Sequence, residues 1–595
     1  PPEKPDHTFS YTAVNLEETY NPPALGIVTT PSQYEYNLDK QLHKIIRPDG
    51  KSIQFDYNNK GKLELVTLPD NKTVEYTYDE AKGRLTTVTA PGGETLSYSY
   101  DGSLLLNTTW AGAINGSVSR TYNNNFWITS HMVNGGSTIN YQYDNDGLLT
   151  GAGNLTIGRN AQNGLITGTT LGSVNDTLGY NTFGEVVDYR AKYNTTDIFS
   201  IQFNRDKLGR ITEKTETVDS ATRMYNYEYD EIGRLTRVKK DSAIISEYTY
   251  DSNGNRLSHN TITGAYDAQD RLITYGNNAY TYTANGELFT RTDTSTSETT
   301  AYTYDVLGNL VSVTLPDDRQ IAYVIDGGNR RIGKKDNGTL IQGFLYQGGL
   351  RPVAELDNNG NIVSRFIYAN RINVPDYMMK SGVTYRIVTD HLGSPRLVVN
   401  TATGQIVQRM DYDEFGNVTN DTNPGFQPFG FAGGLYDNDT KLVRFGARDY
   451  DAEIGRWTAK DPILFMGGDT NLYAYVRNDP MNWKDPYGLL TDPSSPTGET
   501  TETLLEKYRR AKEQYDKNPG DAFAGAEYYY WRSQVIPLMA KLYAEGGNLV
   551  NTGGSVIGIV RGAGESIGQA VVEMVDFVRD QVTGWYVEKR LRKME

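Results

Sequence analysis

Several aspartates, Asp461 and Asp485 among them, stand directly before a proline, and carboxyls set out in that way could do chemistry. Proline lacks an N–H and fixes its own φ, so the aspartate ahead of it is displayed from a stiff turn. Two such carboxyls brought together could not both ionise. One would keep a proton as general acid while the other activated water, the division of labour of an aspartic protease. On residue type alone, the same Asp-Pro dipeptides are equally ordinary turn initiators. His391 has no Ser or Cys partner in a motif and reads as structural. Asp251-Ser252-Asn253-Gly254-Asn255 opens like a calcium loop, but Arg256 occupies the position that needs Gly and no Glu closes the loop, so a plain turn is expected. Asn107-Thr108-Thr109, Asn194-Thr195-Thr196 and Asn438-Asp439-Thr440 fit glycan acceptors, and turn chemistry accounts for them as well.

Composition narrows the classes. The 595 residues include 44 Tyr, 60 Gly and no Cys, which excludes disulfides, thiolate zinc sites and a cysteine nucleophile. A formal charge of −15 without any Lys/Arg block argues against nucleic acid as a partner. No cofactor or metal is expected. Pro1-Pro2-Glu3-Lys4-Pro5 has neither a basic stretch nor an apolar one, so no signal peptide is read in this chain.

The elements that must position the aspartates come from a repeat. Tyr76-Thr77-Tyr78-Asp79, Tyr98-Ser99-Tyr100-Asp101, Tyr141-Gln142-Tyr143-Asp144, Tyr227-Glu228-Tyr229-Asp230, Tyr248-Thr249-Tyr250-Asp251 and Tyr302-Thr303-Tyr304-Asp305 return at a period of roughly 20 residues. Each runs through a Gly turn into another apolar strand, as in Asp230-Glu231-Ile232-Gly233-Arg234-Leu235, which is a hairpin signature. Residues two apart share a strand face, so the paired tyrosines line one side of the sheet. Their rings give apolar area and their hydroxyls meet water or a neighbour. The turn Asp bonds its own backbone two residues on, and Gly accepts positive φ. A single hairpin is marginal, so many must join edge to edge. Between 111 and 194 the Tyr-Asp mark fades into Asn, Gly and Thr.

From about Tyr34 to Leu489 these residues resemble the YD-repeat, or Rhs, family. The resemblance implies a mainly β fold, a spiral, hollow β-shell of the kind found in toxin-complex C proteins and teneurins. From Val383 the repeat yields to Asp390-His391-Leu392-Gly393-Ser394-Pro395-Arg396, Tyr412-Asp413-Glu414-Phe415-Gly416-Asn417, Phe429-Gly430-Phe431-Ala432-Gly433, Arg448-Asp449-Tyr450-Asp451 and Gly455-Arg456-Trp457. This order is similar to the Rhs repeat-associated core. It ends in Pro480-x-x-x-x-Asp485-Pro486-Tyr487-Gly488-Leu489, which is similar to the self-cleavage motif of that core. By position the resemblance implies an intramolecular aspartic-type protease with Asp461 and Asp485 as its carboxyl pair, Arg448 as a supporting charge, and a single cut between Leu489 and Leu490. Pro480, Pro486 and Gly488 are the motif's fixed positions.

The implied organisation is a lead-in over residues 1–33, a shell over 34–382, the core over 383–489 and a variable segment over 490–595. In that last segment Thr503-x-x-Glu506 reads as a capping box, with Leu504, Tyr508, Ala511 and Tyr515 on one helical face and Asn518-Pro519-Gly520 as the stop. A second helical run is expected near 522–544 and a third, rich in Gly, over 550–587. Arg561 and Glu565 interrupt the third, so it lacks the ~20 unbroken apolar residues of a confident span. The resemblance implies a secreted or surface toxin carrier, delivered by a secretion system, with its own C-terminal segment as cargo and a shell-sealing partner or a target-cell membrane as further partners. The segment itself reads as membrane-active, as an enzyme built on carboxylates or Tyr, or as an inert remnant. The rival from another class is a surface or wall-associated adhesion scaffold without cargo.

Overall fold

In a computed structural model, residues 2–25, 30–369, 371–489 and 492–493 are described. The helices expected beyond 489 lie outside the described residues, as does Leu490. No helix among the described residues is long and apolar enough to cross a membrane.

The chain is almost entirely antiparallel β, and 40 strands from Thr8–Tyr11 to Val418–Asp421 join one continuous sheet. Each Tyr-x-Tyr-Asp copy closes a strand. In Ala221–Tyr229, Tyr227 pairs with Val238 and Tyr229 with Leu235, and a register shift falls just before Tyr229. The same shift precedes Tyr250 and Tyr304. A bulge bends its strand and adds twist, so the recurrence of these bulges along the array curls the sheet. The two tyrosines divide their work. Tyr227, Tyr248 and Tyr302 are buried, whereas the second tyrosine reaches sideways to the preceding hairpin: Tyr78 donates to the Leu63 carbonyl (2.8 Å), Tyr229 to that of Ile211 (2.7 Å) and Tyr250 to that of Leu235 (2.7 Å). The turns follow one pattern. Asp230 Oδ1 accepts the N–H of Ile232 and of Arg234, while Gly233, at φ 96°, returns its N–H to the Asp230 carbonyl.

The sheet does not stop where the Tyr-Asp mark fades. Strands from Gly116–Tyr122 to Val186–Tyr193 pair in unbroken succession. Asn107 lies inside one strand, Leu104–Ala111, and not in a turn, because Thr and Asn alternate there with buried Leu105, Thr108 and Trp110. Asn194, at φ 52°, does sit in a turn.

The curl brings the sheet back over itself. Arg47 meets Glu287 (3.1 Å), Trp110 Nε1 donates to Asp326 (3.1 Å), Arg386 meets Asp176 (2.6 Å) and Arg396 forks onto Glu216 (2.5 and 3.0 Å). Partners lie 240, 216, 210 and 180 residues apart, so the strands form a spiral whose second winding lies against its first. One apolar cluster joins Ile53, Val74 and Val88 to Ile332, Leu345 and Phe366 across the windings.

After the long sheet the chain builds a second, four-stranded sheet from Leu435–Tyr436, Leu442–Phe445, Arg448–Asp451 and Arg456–Trp457. Phe431, Phe445, Tyr450, Trp457 and Tyr475 pack beneath it, with Tyr450 and Tyr475 rings 4.3 Å apart. The turn that imitated a calcium loop is where this unit docks. Thr470 donates to Asn253 (2.8 Å), Asn471 and Arg456 donate to Asn255 Oδ1 (2.8 and 2.9 Å) and Asn478 donates to the Gly254 carbonyl (2.8 Å).

Candidate active site

Arg448 opens a strand of the small sheet, and its guanidinium lies 4.2 Å over the Trp457 ring. One of its nitrogens, Nη2, stands 2.9 Å from Asp461 Oδ2 and 3.4 Å from Asp485 Oδ2. The two aspartates therefore flank a single guanidinium nitrogen, and all three residues are buried. The remaining guanidinium donors fix backbone: Nε donates to the Gly488 carbonyl (2.6 Å) and Nη1 to that of Leu472 (3.3 Å).

The chain segment expected to be cut is seated in this group. Leu489 donates its N–H to Asp485 Oδ1 (3.0 Å), Gly488 donates to the Asp485 carbonyl (3.2 Å) and Ala447 to that of Tyr487 (2.8 Å). Gly488 adopts φ 65°, and a Cβ there would stand 2.5 Å from the Phe445 carbonyl, so only glycine fits. Gly467 marks the far wall. A Cβ on it would lie 2.7 Å from Asp461 Oδ2 and 3.0 Å from the Leu489 carbonyl oxygen, so the carboxyl and the carbonyl converge on one point. A cavity of about 20 Å³ lies between Arg448, Asp461, Asp485 and Leu489, above the ~10–15 Å³ one water occupies.

Burial pushes the Asp461 carboxyl from its usual 3.8 up to about 7, against the pull of Arg448 and of the Ile463 N–H, with Asp485 adding to the rise. Asp469 lines the same cavity, and burial raises its carboxyl too. Asp461 is held from its own turn, where its Oδ1 accepts the Ile463 N–H (2.9 Å) and its carbonyl that of Leu464 (3.0 Å).

Of the sequence candidates, Asp461, Asp485, Arg448, Gly488 and Leu489 come together, and Leu490 lies outside the described residues. Pro480 and Pro486 are buried but do not line this cavity. His391 is structural: its Nε2 meets the Met481 carbonyl (2.8 Å), its ring stands edge-on to Phe203, and burial lowers it to about 4. Sequence reasoning missed Gly467 and Asp469, and it read Trp457 as part of the core order without a place at the site. The Gly467-Gly468 pair just before Asp469 was the available signal for a backbone passing close to another chain segment.

The sequence matches the family described as Teneurin YD-shell over residues 1–481. The chain belongs to the YD-shell family. Teneurin-4 of Mus musculus is 28% identical over 413 residues, covering 64% of this YD-shell chain and 14% of Teneurin-4. Double-stranded DNA deaminase toxin A of Burkholderia cenocepacia (strain H111) is 28% identical over 325 residues, 48% of this chain and 22% of the toxin. The crystal structure of TcdB2-TccC3-TEV superimposes with a TM-score of 0.60 at 14% identity, over 82% of this chain and 28% of that one, and shares its fold. The YD-shell chain spans less than a quarter of the length of these two curated relatives. Arg448 and Asp461 fall inside the family match, and Asp485 and Leu489 lie just beyond it.

Proposed function

We propose that this chain is the shell of a toxin carrier, which cuts its own backbone after Leu489 and retains residues 490–595 as enclosed cargo. The observation that carries the reading is the sharing of one Arg448 nitrogen by two buried carboxyls beside a segment pinned at Gly488 and Leu489.

In the proposed reaction, Asp485 accepts a proton from a water in the cavity as the water oxygen attacks the Leu489 carbonyl carbon. Asp461, neutral below about pH 7, faces the carbonyl oxygen and supplies its proton as negative charge develops there. Collapse of the tetrahedral adduct breaks the C–N bond. The Leu490 nitrogen leaves as an amine carrying a proton from the aspartate pair, and Leu489 ends as a carboxylate. Arg448 holds the aspartates and the Gly488 carbonyl in register. Tethering the bond beside the pair replaces an encounter with a local step, for which effective molarities reach ~10⁵ M or more.

A denaturing gel of freshly purified chain tests this. A fragment of about 12 kDa, at roughly 110 Da per residue, is expected from the wild type and absent from Asp461→Asn and Asp485→Asn. A single intact wild-type band overturns the reading and favours the adhesion scaffold. The name of the Burkholderia relative supports a toxin for cargo, with an activity of its own to be found. Residues 490–595 expressed inside and outside a bacterial cytoplasm, with membrane potential as readout, test the membrane-active form of that cargo.

A further inference from the structure

The segment that displays Asp461 has a second set of neighbours at the opposite end of the sequence. Two strands of the long sheet, β1 (Thr8–Tyr11) and β2 (Glu17–Asn21), pair so that Phe9 faces Tyr20. Phe465 stands edge-on to the rings of His7 (4.9 Å between centroids) and Phe9 (6.3 Å). The Lys460 ammonium lies 5.2 Å over the ring of Tyr20, a residue only 1% exposed whose hydroxyl meets His7 Nδ1 at 2.8 Å. Residues on both sides of Asp461 thus rest on one hairpin.

That hairpin is anchored to the second winding. Lys4 stands 3.5 Å from Asp251 and 3.7 Å from Asp270, Ser252 donates to Glu3 (2.9 Å) and Gln269 donates to the Pro23 carbonyl (2.7 Å). Phe465 belongs to the 3-10 turn Leu464–Gly467, whose other side lines the cavity through Leu464 and Gly467. A 3-10 turn of this length has poor hydrogen-bond geometry and little stiffness of its own. Its place beside the Leu489 carbonyl is therefore set by what it leans on.

We infer that the β1–β2 hairpin is a positioning element for scission, and that Phe465 is the residue through which it acts. Scission after Leu489 proceeds at full rate only when β1 and β2 are seated against the segment that carries Asp461 and Phe465. The inference rests on the proposed self-cleavage and adds an order of events: the shell winds first and the cut follows, so a chain whose spiral is incomplete keeps its cargo covalently attached.

The test is the time course of fragment appearance in full-length chain on denaturing gels, for the wild type, Phe465→Ala, Phe465→Leu and the double variant His7→Ala/Phe9→Ala. Misplacing a reacting group by about 1 Å can cost ~10²-fold, so Phe465→Ala and the hairpin double variant are each expected to slow scission ten- to hundredfold. Combining them should add little, and Phe465→Leu should restore most of the rate. The high-pH limb of the rate profile should also move to lower pH in Phe465→Ala, because water then reaches Asp461; loss of packing elsewhere would not move it. Wild-type rates and an unmoved limb in both variants, with Asp461→Asn inactive, overturn the positioning role and leave the cleavage reading standing. Absence of any fragment from the wild type overturns both.

Discussion

The winding sheet and the small sheet after it hold their charges by different means. In the array the pairs at the turns are short-range in sequence: Asp206–Arg210, Asp230–Arg234 and Asp267–Arg271 each close within one turn, and the arginine then lies over a tyrosine of the next hairpin, Arg234 over Tyr250 at 4.9 Å and Arg210 over Tyr229 at 4.9 Å, while longer-range pairs such as Arg396–Glu216 join one winding to the other. In the closing unit partners are distant. Arg456 reaches Asn255, Arg444 reaches Asn309 and Arg331 meets Asp449 (2.9 Å). Buried carboxylates differ accordingly. Burial alone would raise Glu216, but Lys214 and Arg396 overcome it and hold the group near 2, whereas one Arg448 serves two aspartates and Asp461 rises to about 7. Matched cations keep a buried carboxylate ionised, and one cation shared by two buried carboxyls leaves Asp461 raised.

The largest expected effect breaks the unmatched pair. Asp485→Asn should lower the scission rate by ~10²–10⁴-fold, read as the amount of fragment on a denaturing gel, while leaving the strand signal of circular dichroism unchanged. Next, Arg448→Met strands two carboxyls. Breaking a buried pair costs ~3–5 kcal/mol, and the low end applies because Asp461 can keep its proton; a fall in the denaturant midpoint of the closing unit, with the array's own transition unmoved, checks this. The pH dependence sharpens the contrast. A carboxyl raised in the fold contributes stability that is complete below its unfolded value of 3.8 and lost as pH rises through about 7. Scission by the acid form should accordingly drop about tenfold per pH unit above 7, while Glu216, held low, contributes stability that is lost only as pH falls through its folded value near 2. Asn255→Ala removes an acceptor used by Arg456 and Asn471 and should cost ~1–3 kcal/mol, seen as faster proteolysis of the closing unit. The smallest effect belongs to the array: Tyr250→Phe deletes one bond to the Leu235 carbonyl, worth about 0.5–1.5 kcal/mol, and should leave scission unaltered.

The same contrast explains what the sequence made legible. Hairpins were readable because their determinants are local: an Asp that bonds the residue two on, a Gly at positive φ and tyrosines two apart. The Arg that follows the turn Gly in Asp230-Glu231-Ile232-Gly233-Arg234 was equally local, and its ion pair with Asp230 could have been expected from spacing. The strands between 111 and 194 carry the sheet with a single full copy of the Tyr-Asp mark, at Tyr141–Asp144, since alternation such as that of Val118, Arg120 and Tyr122 with small polar residues suffices. What could not be read was whatever depends on the curl: that Asn253 and Asn255 form a dock, and that Phe465 faces the first strand. Residue order supplies no distance between hairpins a full winding apart. The grouping of Asp461, Asp485 and Arg448 was accessible through resemblance, because nothing local links them.

The lone guanidinium between two aspartates also gives the proposed reaction a direction. Hydrolysis at Leu489 would leave a further carboxylate, ionised well below neutral pH, inside a cavity already lined by three acids, Asp461, Asp469 and Asp485, and a single cation. Mutual repulsion would drive the new chain end out from beside Asp461, where resealing by attack of the freed amine would have to begin. The catalyst would be spoiled by its own first turnover, acting as a fuse and not as an enzyme that resets.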